Sequence, residues 1–141
     1  MKFGKSLFWG SRPLSKAIAR AFEQGLDFVE LALDFKWPEG INVTKLRKDL
    51  RQTGLEFAVH TPYAGIQIAN PRKELRLVSL KLLKKSILFA SRLDACYVNM
   101  HLVGDTEIKR LPEGAKALHS TALRSAKELT SFAEKNSIKL S

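Results

Sequence analysis

Apolar residues recur along this chain with two alternating periods. In residues 3–8, 28–34, 55–60 and 96–101 they form short runs of strand length, bounded by turn residues. Between those runs they return at helical spacing. Leu14, Ala17, Ile18, Ala21 and Phe22 mark a first helix, opened by Ser11 and Pro13 and closed at Gly25. Val43, Leu46 and Leu50 mark a second, stopped by Gly54. Leu75, Val78, Leu82, Phe89 and Leu93 mark one face of a third, for which Asn70 predicts the cap and Pro71 the first helical position. Ala115, Leu118, Ala122, Leu129 and Ala133 mark a fourth, opened by Pro112 and Glu113 and ended at Asn136. Ile138, Lys139 and Leu140 begin a fifth strand. The predicted order is βαβαβαβαβ, which calls for a parallel sheet built by right-handed crossovers. No linker or low-complexity stretch divides residues 1–141, so a single domain is expected.

Side chains alternate across a strand. One parity holds Val29, Leu31 and Leu33, then Leu55, Phe57 and Val59, then Cys96, Val98 and Met100, and suits packing on helices. The other holds Glu30, Ala32 and Asp34, then Glu56, Ala58 and His60, then Tyr97, Asn99 and His101. An open sheet wound on both sides is apolar on both faces. The two-toned pattern fits a barrel, whose second face lines the interior. His60 and His101 close strands three and four, at the strand ends where α/β folds place their chemistry. Neighbouring strands lie about 4.8 Å apart. Two imidazoles at matching depth can therefore converge on one metal about 2 Å from each nitrogen. Glu30, inward on strand two, is the candidate catalytic carboxylate. A plain pairing with a lysine fits it as well. Asn99 is a candidate substrate contact or a packing hydrogen bonder, and Tyr63 a candidate substrate contact or a loop anchor.

Bulk properties bound these readings. The chain has 141 residues, 45% hydrophobic and 27% charged, ordinary for a soluble globular domain. No apolar stretch approaches the roughly 18 residues that span a bilayer. Residues 1–5 lead into no apolar core long enough for a signal peptide. Cys96 is the only cysteine, which excludes an internal disulfide and a Cys-rich zinc site. A cytoplasmic protein is expected, with Cys96 buried as a small hydrophobe. The formal charge of +10 attracts polyanions, either nucleic acid or phosphorylated substrates. Seven basic residues between Arg72 and Arg92 face Glu74 alone, and Lys81, Lys84 and Lys85 share one helical side. A solvated helix face is the first reading of that cluster and nucleic-acid contact the second. His119 is expected at the surface. Trp9 and Trp37, at strand exits, suit sugar platforms or core packing equally.

Three short motifs, His60-Thr61-Pro62-Tyr63, Ile68-Ala69-Asn70-Pro71 and Val98-Asn99-Met100-His101, together resemble the xylose-isomerase-like barrel superfamily. The run from Gly25 through Asp27, Phe28, Val29 and Glu30 to Leu31 resembles its second strand. The resemblance covers the whole chain. It implies the N-terminal half of a (β/α)8 TIM barrel, about four βα units plus the start of strand five. The superfamily includes sugar and sugar-phosphate isomerases and epimerases, and the zinc-dependent endonuclease IV group that repairs abasic DNA. In the latter, the positions matching His60 and His101 are zinc ligands, and Tyr63 matches a tyrosine near the DNA-binding loop. That group follows the second histidine with a Pro-Gly turn, whereas Leu102-Val103-Gly104-Asp105 follows it here. The resemblance therefore favours the isomerase or epimerase branch, in which His60, His101 and Glu30 stand on the substrate side. It implies zinc or manganese in a complete barrel. Weak or no binding is expected of this half, since a catalytic zinc site takes about three protein ligands. The implied partners are a sugar or sugar phosphate, with DNA as the alternative, and no membrane. A half barrel leaves sheet edges open, so a second copy or a C-terminal half is also expected. A non-catalytic half-barrel module that dimerises is the third reading.

Overall fold

The computed structural model describes residues 1–8, 13–33, 41–102 and 108–141. Trp9, Asp34, Trp37, Gly104 and Asp105 lie outside the described residues. Four strands, β1 (Gly4–Leu7), β2 (Phe28–Ala32), β3 (Glu56–His60) and β4 (Tyr97–Asn99), alternate with four helices, α1 (Leu14–Glu23), α2 (Val43–Thr53), α3 (Lys73–Arg92) and α4 (Pro112–Lys135). All pairings are parallel, in the order β1-β2-β3-β4. The start of a fifth strand joins them. Val98 N donates to Lys139 O at 2.8 Å, and Ser141 N donates to Val98 O at 2.8 Å. Leu140 thereby pairs beside Val98.

The apolar parity packs as expected. Val29, Leu31, Val59 and Val98 are fully buried and meet Ile18, Ala21, Leu46, Leu50, Leu83, Ile87, Leu129 and Ala133 from the helices. Each such side chain stabilises the fold by about 1.5–3 kcal/mol relative to exposure. Local signals set the helix ends. The Asn42 side chain accepts from Lys45 N at 2.9 Å and caps α2, and Gly54, at φ 72°, stops it in the left-handed region.

Four expectations need correction. Asn70 does not cap α3. It is buried, its Oδ1 accepts from Arg72 N at 2.9 Å, and the helix starts two residues later than Pro71 predicts, at Lys73. The face predicted for α3 holds at Phe89 and Leu93, which are buried, and at Leu82, which packs on the core, but fails in the first turns of the helix. Leu75 and Val78 are exposed, while Ser79, Leu83, Ser86, Ile87 and Ala90 point inward. Ser79 and Ser86 sit in the core because their hydroxyls donate back to the carbonyls of Leu75 and Leu82, which satisfies them inside the helix. Lys84 also leaves the expected lysine side, for its ammonium reaches Glu128 of α4 at 2.6 Å. Cys96 is exposed, not buried. It precedes β4 at the N-terminal end of the sheet, on a hollow that it shares with Arg47, Leu50 and Arg51 of α2, and its thiol donates to Phe57 O at 3.0 Å.

Gly4 shows how tightly the inner face is filled. A Cβ there would stand 2.3 Å from the tip of the Phe28 ring. Phe28 in turn meets Tyr97 edge-on, with ring centroids 6.4 Å apart. Gly4→Ala is expected to push Phe28 aside and cost about 1–2 kcal/mol. Urea denaturation checks this, and an unchanged midpoint would show that the ring has room.

Candidate functional site

The strand register stacks the inner-face residues into rows. Ser6, Glu30, Ala58 and Tyr97 share one row. Ala32, His60 and Asn99 share the next, toward the C-terminal ends of the strands. Such rows fill the interior of (β/α)8 barrels. Glu30 is only 8% exposed. Tyr97 OH donates to one of its carboxylate oxygens at 3.1 Å, and Ser6 Oγ donates to the other at 3.2 Å. Burial of the phenol, and then the Glu30 charge it is bonded to, push Tyr97 up to about 12.

A raised phenol pKa means that the folded state favours neutral Tyr97 more than the unfolded chain does. The corresponding stability is fully present below about pH 10, the unfolded value, and is lost as pH rises through about 12. Across that window the parent should lose stability relative to Tyr97→Phe. Denaturant midpoints measured from pH 9 to 12 test it, and parallel curves for the two proteins would contradict it.

His60 ends β3, and His101 follows β4 by two residues. Their Nε2 atoms lie 3.1 Å apart. His60 Nδ1 is 2.8 Å from the carbonyl of Thr61, which can only accept, so Nδ1 carries the hydrogen and the Nε2 lone pair faces His101. Tyr63 completes the cluster, its ring 6.2 Å from that of His60 and 5.7 Å from that of His101. His60 is half-buried; His101 and Tyr63 are exposed at the rim. Two nitrogens on one tetrahedral zinc stand about 3.3 Å apart. The pair therefore has the spacing of two ligands, and His60 has the tautomer of one. Among the described residues no group of three His, Cys, Asp or Glu side chains stands close enough to hold an ion. The pair alone is an incomplete metal site, and no chemical step is assigned to a metal here.

The loop that carries Tyr63 is held from outside the sheet. Ile66, Ile68, Ala69 and Asn70 are buried within it. Ser125 of α4 donates to Ile68 O at 2.6 Å, and Ser79 of α3 accepts from Gln67 N at 2.9 Å. Thr61 N donates to Asn99 O at 2.8 Å, tying the loop's start to β4. His60, His101 and Tyr63 thus come together, Asn99 shares the row of His60, and Glu30 lies one row deeper with Ser6 and Tyr97. His119 is exposed on α4, as expected of it. Sequence reasoning did not single out Ser6, Tyr97, Ser79 or Ser125. For Tyr97 the signal was present, since it shares the alternation of Asn99 and His101.

Comparison with known proteins agrees with this architecture. The chain superposes with a TM-score of 0.82 on a putative xylose isomerase from Rhodospirillum rubrum, at 18% identity, covering 99% of this chain and 53% of that one. It superposes with a TM-score of 0.79 on D-psicose 3-epimerase from Clostridium cellulolyticum, at 18% identity, covering 99% and 51%. A 3-keto-D-glucoside 4-epimerase from E. coli gives a TM-score of 0.79 at 16% identity, covering 99% and 54%. At such identities the likeness establishes the fold, and the chain spans about half the length of these proteins. None of the curated proteins matches the sequence significantly. Among the described residues no helix is long and apolar enough to cross a membrane. Residues 18–141 match the family described as Xylose isomerase-like TIM barrel, and with four parallel βα units in barrel order the chain belongs to it.

Proposed function

We propose that this chain supplies half of the active centre of a sugar or sugar-phosphate isomerase or epimerase, and that a second half-barrel or a second copy completes it. The observation that carries the reading is the imidazole pair, 3.1 Å apart at the inner rim, one row above a buried carboxylate. In such chemistry a base takes the proton from the carbon beside a carbonyl. The freed electron pair forms the enediol double bond, and the charge gathering on the carbonyl oxygen must be met by a donor. Glu30 is the one buried carboxylate among the described residues, and we assign it the base. Each of its oxygens keeps a lone pair beyond the bond to Ser6 or Tyr97. The two histidines stand where an oxygen of the substrate, or a zinc or manganese ion in the completed barrel, would be held. Tyr63 and Asn99 border the same rim and are assigned substrate contacts. The single cysteine agrees with a cytoplasmic place of action.

Histidine NMR tests this reading on the chain itself. Added Mn2+ should broaden the ring signals of His60 and His101 well before those of His119, which is exposed on α4. D-fructose, D-psicose or a ketose phosphate should then shift Tyr63 and His60. Equal broadening of all three histidines, or no response to any ketose or aldose, would remove the basis of the reading.

A further inference from the structure

The positive charge of this chain is concentrated. α2 carries four basic side chains against one acid, and α3 six against one. These two helices therefore hold +8 of the formal charge of +10. α1 and α4 each hold only +1.

Residues of both helices line one seam on the outer wall. A groove of about 470 Å³ there is lined by Asn42, Thr44, Lys85, Leu88, Phe89 and Arg92, among others. Thr44 also lines a second hollow, with Arg47, Lys48, Arg51 and Gln52, so the surface is continuous across α2. Among the described residues no acidic side chain lines either hollow. Arg47 and Arg51 are partly neutralised by Asp94. Lys48, Arg92 and Lys81, which stands one helical turn before groove-lining Lys85 on α3, form no ion pair with any described residue. Basic side chains, a threonine and an asparagine on two banks of a groove are the donors that grip phosphate backbones.

We propose that the α2–α3 seam docks the backbone of double-stranded nucleic acid, without reading its bases. The seam lies on the outer helical wall, while the histidine pair faces the interior, so this inference does not rest on the proposed sugar chemistry. A duplex is favoured over a single strand because, among the described residues, the seam has no exposed stacking platform. α2 has no aromatic residue, and the only one in α3, Phe89, is buried. A duplex is favoured over a bilayer because the basic groups line a concavity that a flat surface does not enter.

Fluorescence anisotropy with a mixed-sequence duplex of about 20 base pairs tests this on the 141-residue chain. Affinity should fall steeply between about 50 and 200 mM salt. The triple variant Lys48→Gln, Lys81→Gln, Arg92→Gln should weaken binding at least about 10-fold and lower the salt slope by about 2–3. Lys16→Gln, Arg20→Gln, Lys116→Gln removes the same charge elsewhere and should change affinity less than about 2-fold. Hydrogen exchange on the unmodified protein gives a second readout, with protection by the duplex expected on α2 and the C-terminal half of α3. The proposal is overturned if the two triple variants weaken binding alike, or if protection falls elsewhere. Tighter binding to a single strand of equal length, or to phosphatidylserine vesicles, also overturns it.

Discussion

Glu30→Ala should lower stability by about 3 kcal/mol, or roughly 10 °C in melting temperature for a domain of this size. The cost has two sources. The substitution opens a void in a filled interior row, and it leaves the Tyr97 and Ser6 hydroxyls without the carboxylate they both donate to. Glu30→Gln keeps the volume and one acceptor, and should cost about 1 kcal/mol. Tyr97→Phe combined with Glu30→Leu removes donor and acceptor together and should cost less than Glu30→Ala alone, because a matched apolar pair leaves fewer buried polar groups unpaired. Thermal and urea denaturation of the three proteins give the ordering. A Glu30→Ala protein within about 0.5 kcal/mol of the parent would mean that water replaces the carboxylate at no cost.

His60→Ala is expected to weaken divalent-metal binding at the pair about 100-fold or more, since it leaves one imidazole where two converged. His101→Ala should do the same, and the double variant should be little worse than either single one, because the two rings act as one unit. Stability should move far less, as His101 is exposed and His60 only half-buried. Mn2+ titrations followed at His119 and at the remaining rim histidine separate local loss from unfolding. If the two losses add in full, the rings bind independently and the pair is not a site.

Much of the fold was legible because strand and helix periods alternate cleanly. The parity that carries His60 and His101 also carries Glu30, the register puts Glu30 and His60 on one face, and His101, two residues beyond β4, meets His60 there. What could not be read depends on pairing across distance. The Tyr97–Glu30–Ser6 contact reaches across four strands, from β1 to β4, and only the register shows that those residues share a row. The inward serines of α3 were hidden for another reason. Ser79 and Ser86 look polar in the sequence, but bonds to carbonyls four residues back let them face the core. Cys96 follows the apolar alternation, yet it sits just before β4, where the space between it and α2 is an open hollow. In the histidine site the residues were legible and their support was not, since Ser125 acts on the loop from 57 positions away.

That last bond bears on the order of events at the ribosome. Each strand pairs with the one made just before it, so the sheet can grow as the chain emerges. The loop bearing Tyr63 is synthesised early, but it gains its Ser125 anchor only after most of α4 has left the exit tunnel. The rim of the barrel would thus be set late, well after its scaffold, and a nascent chain stalled before α4 would carry both histidines in sequence without yet having a fixed loop beside them.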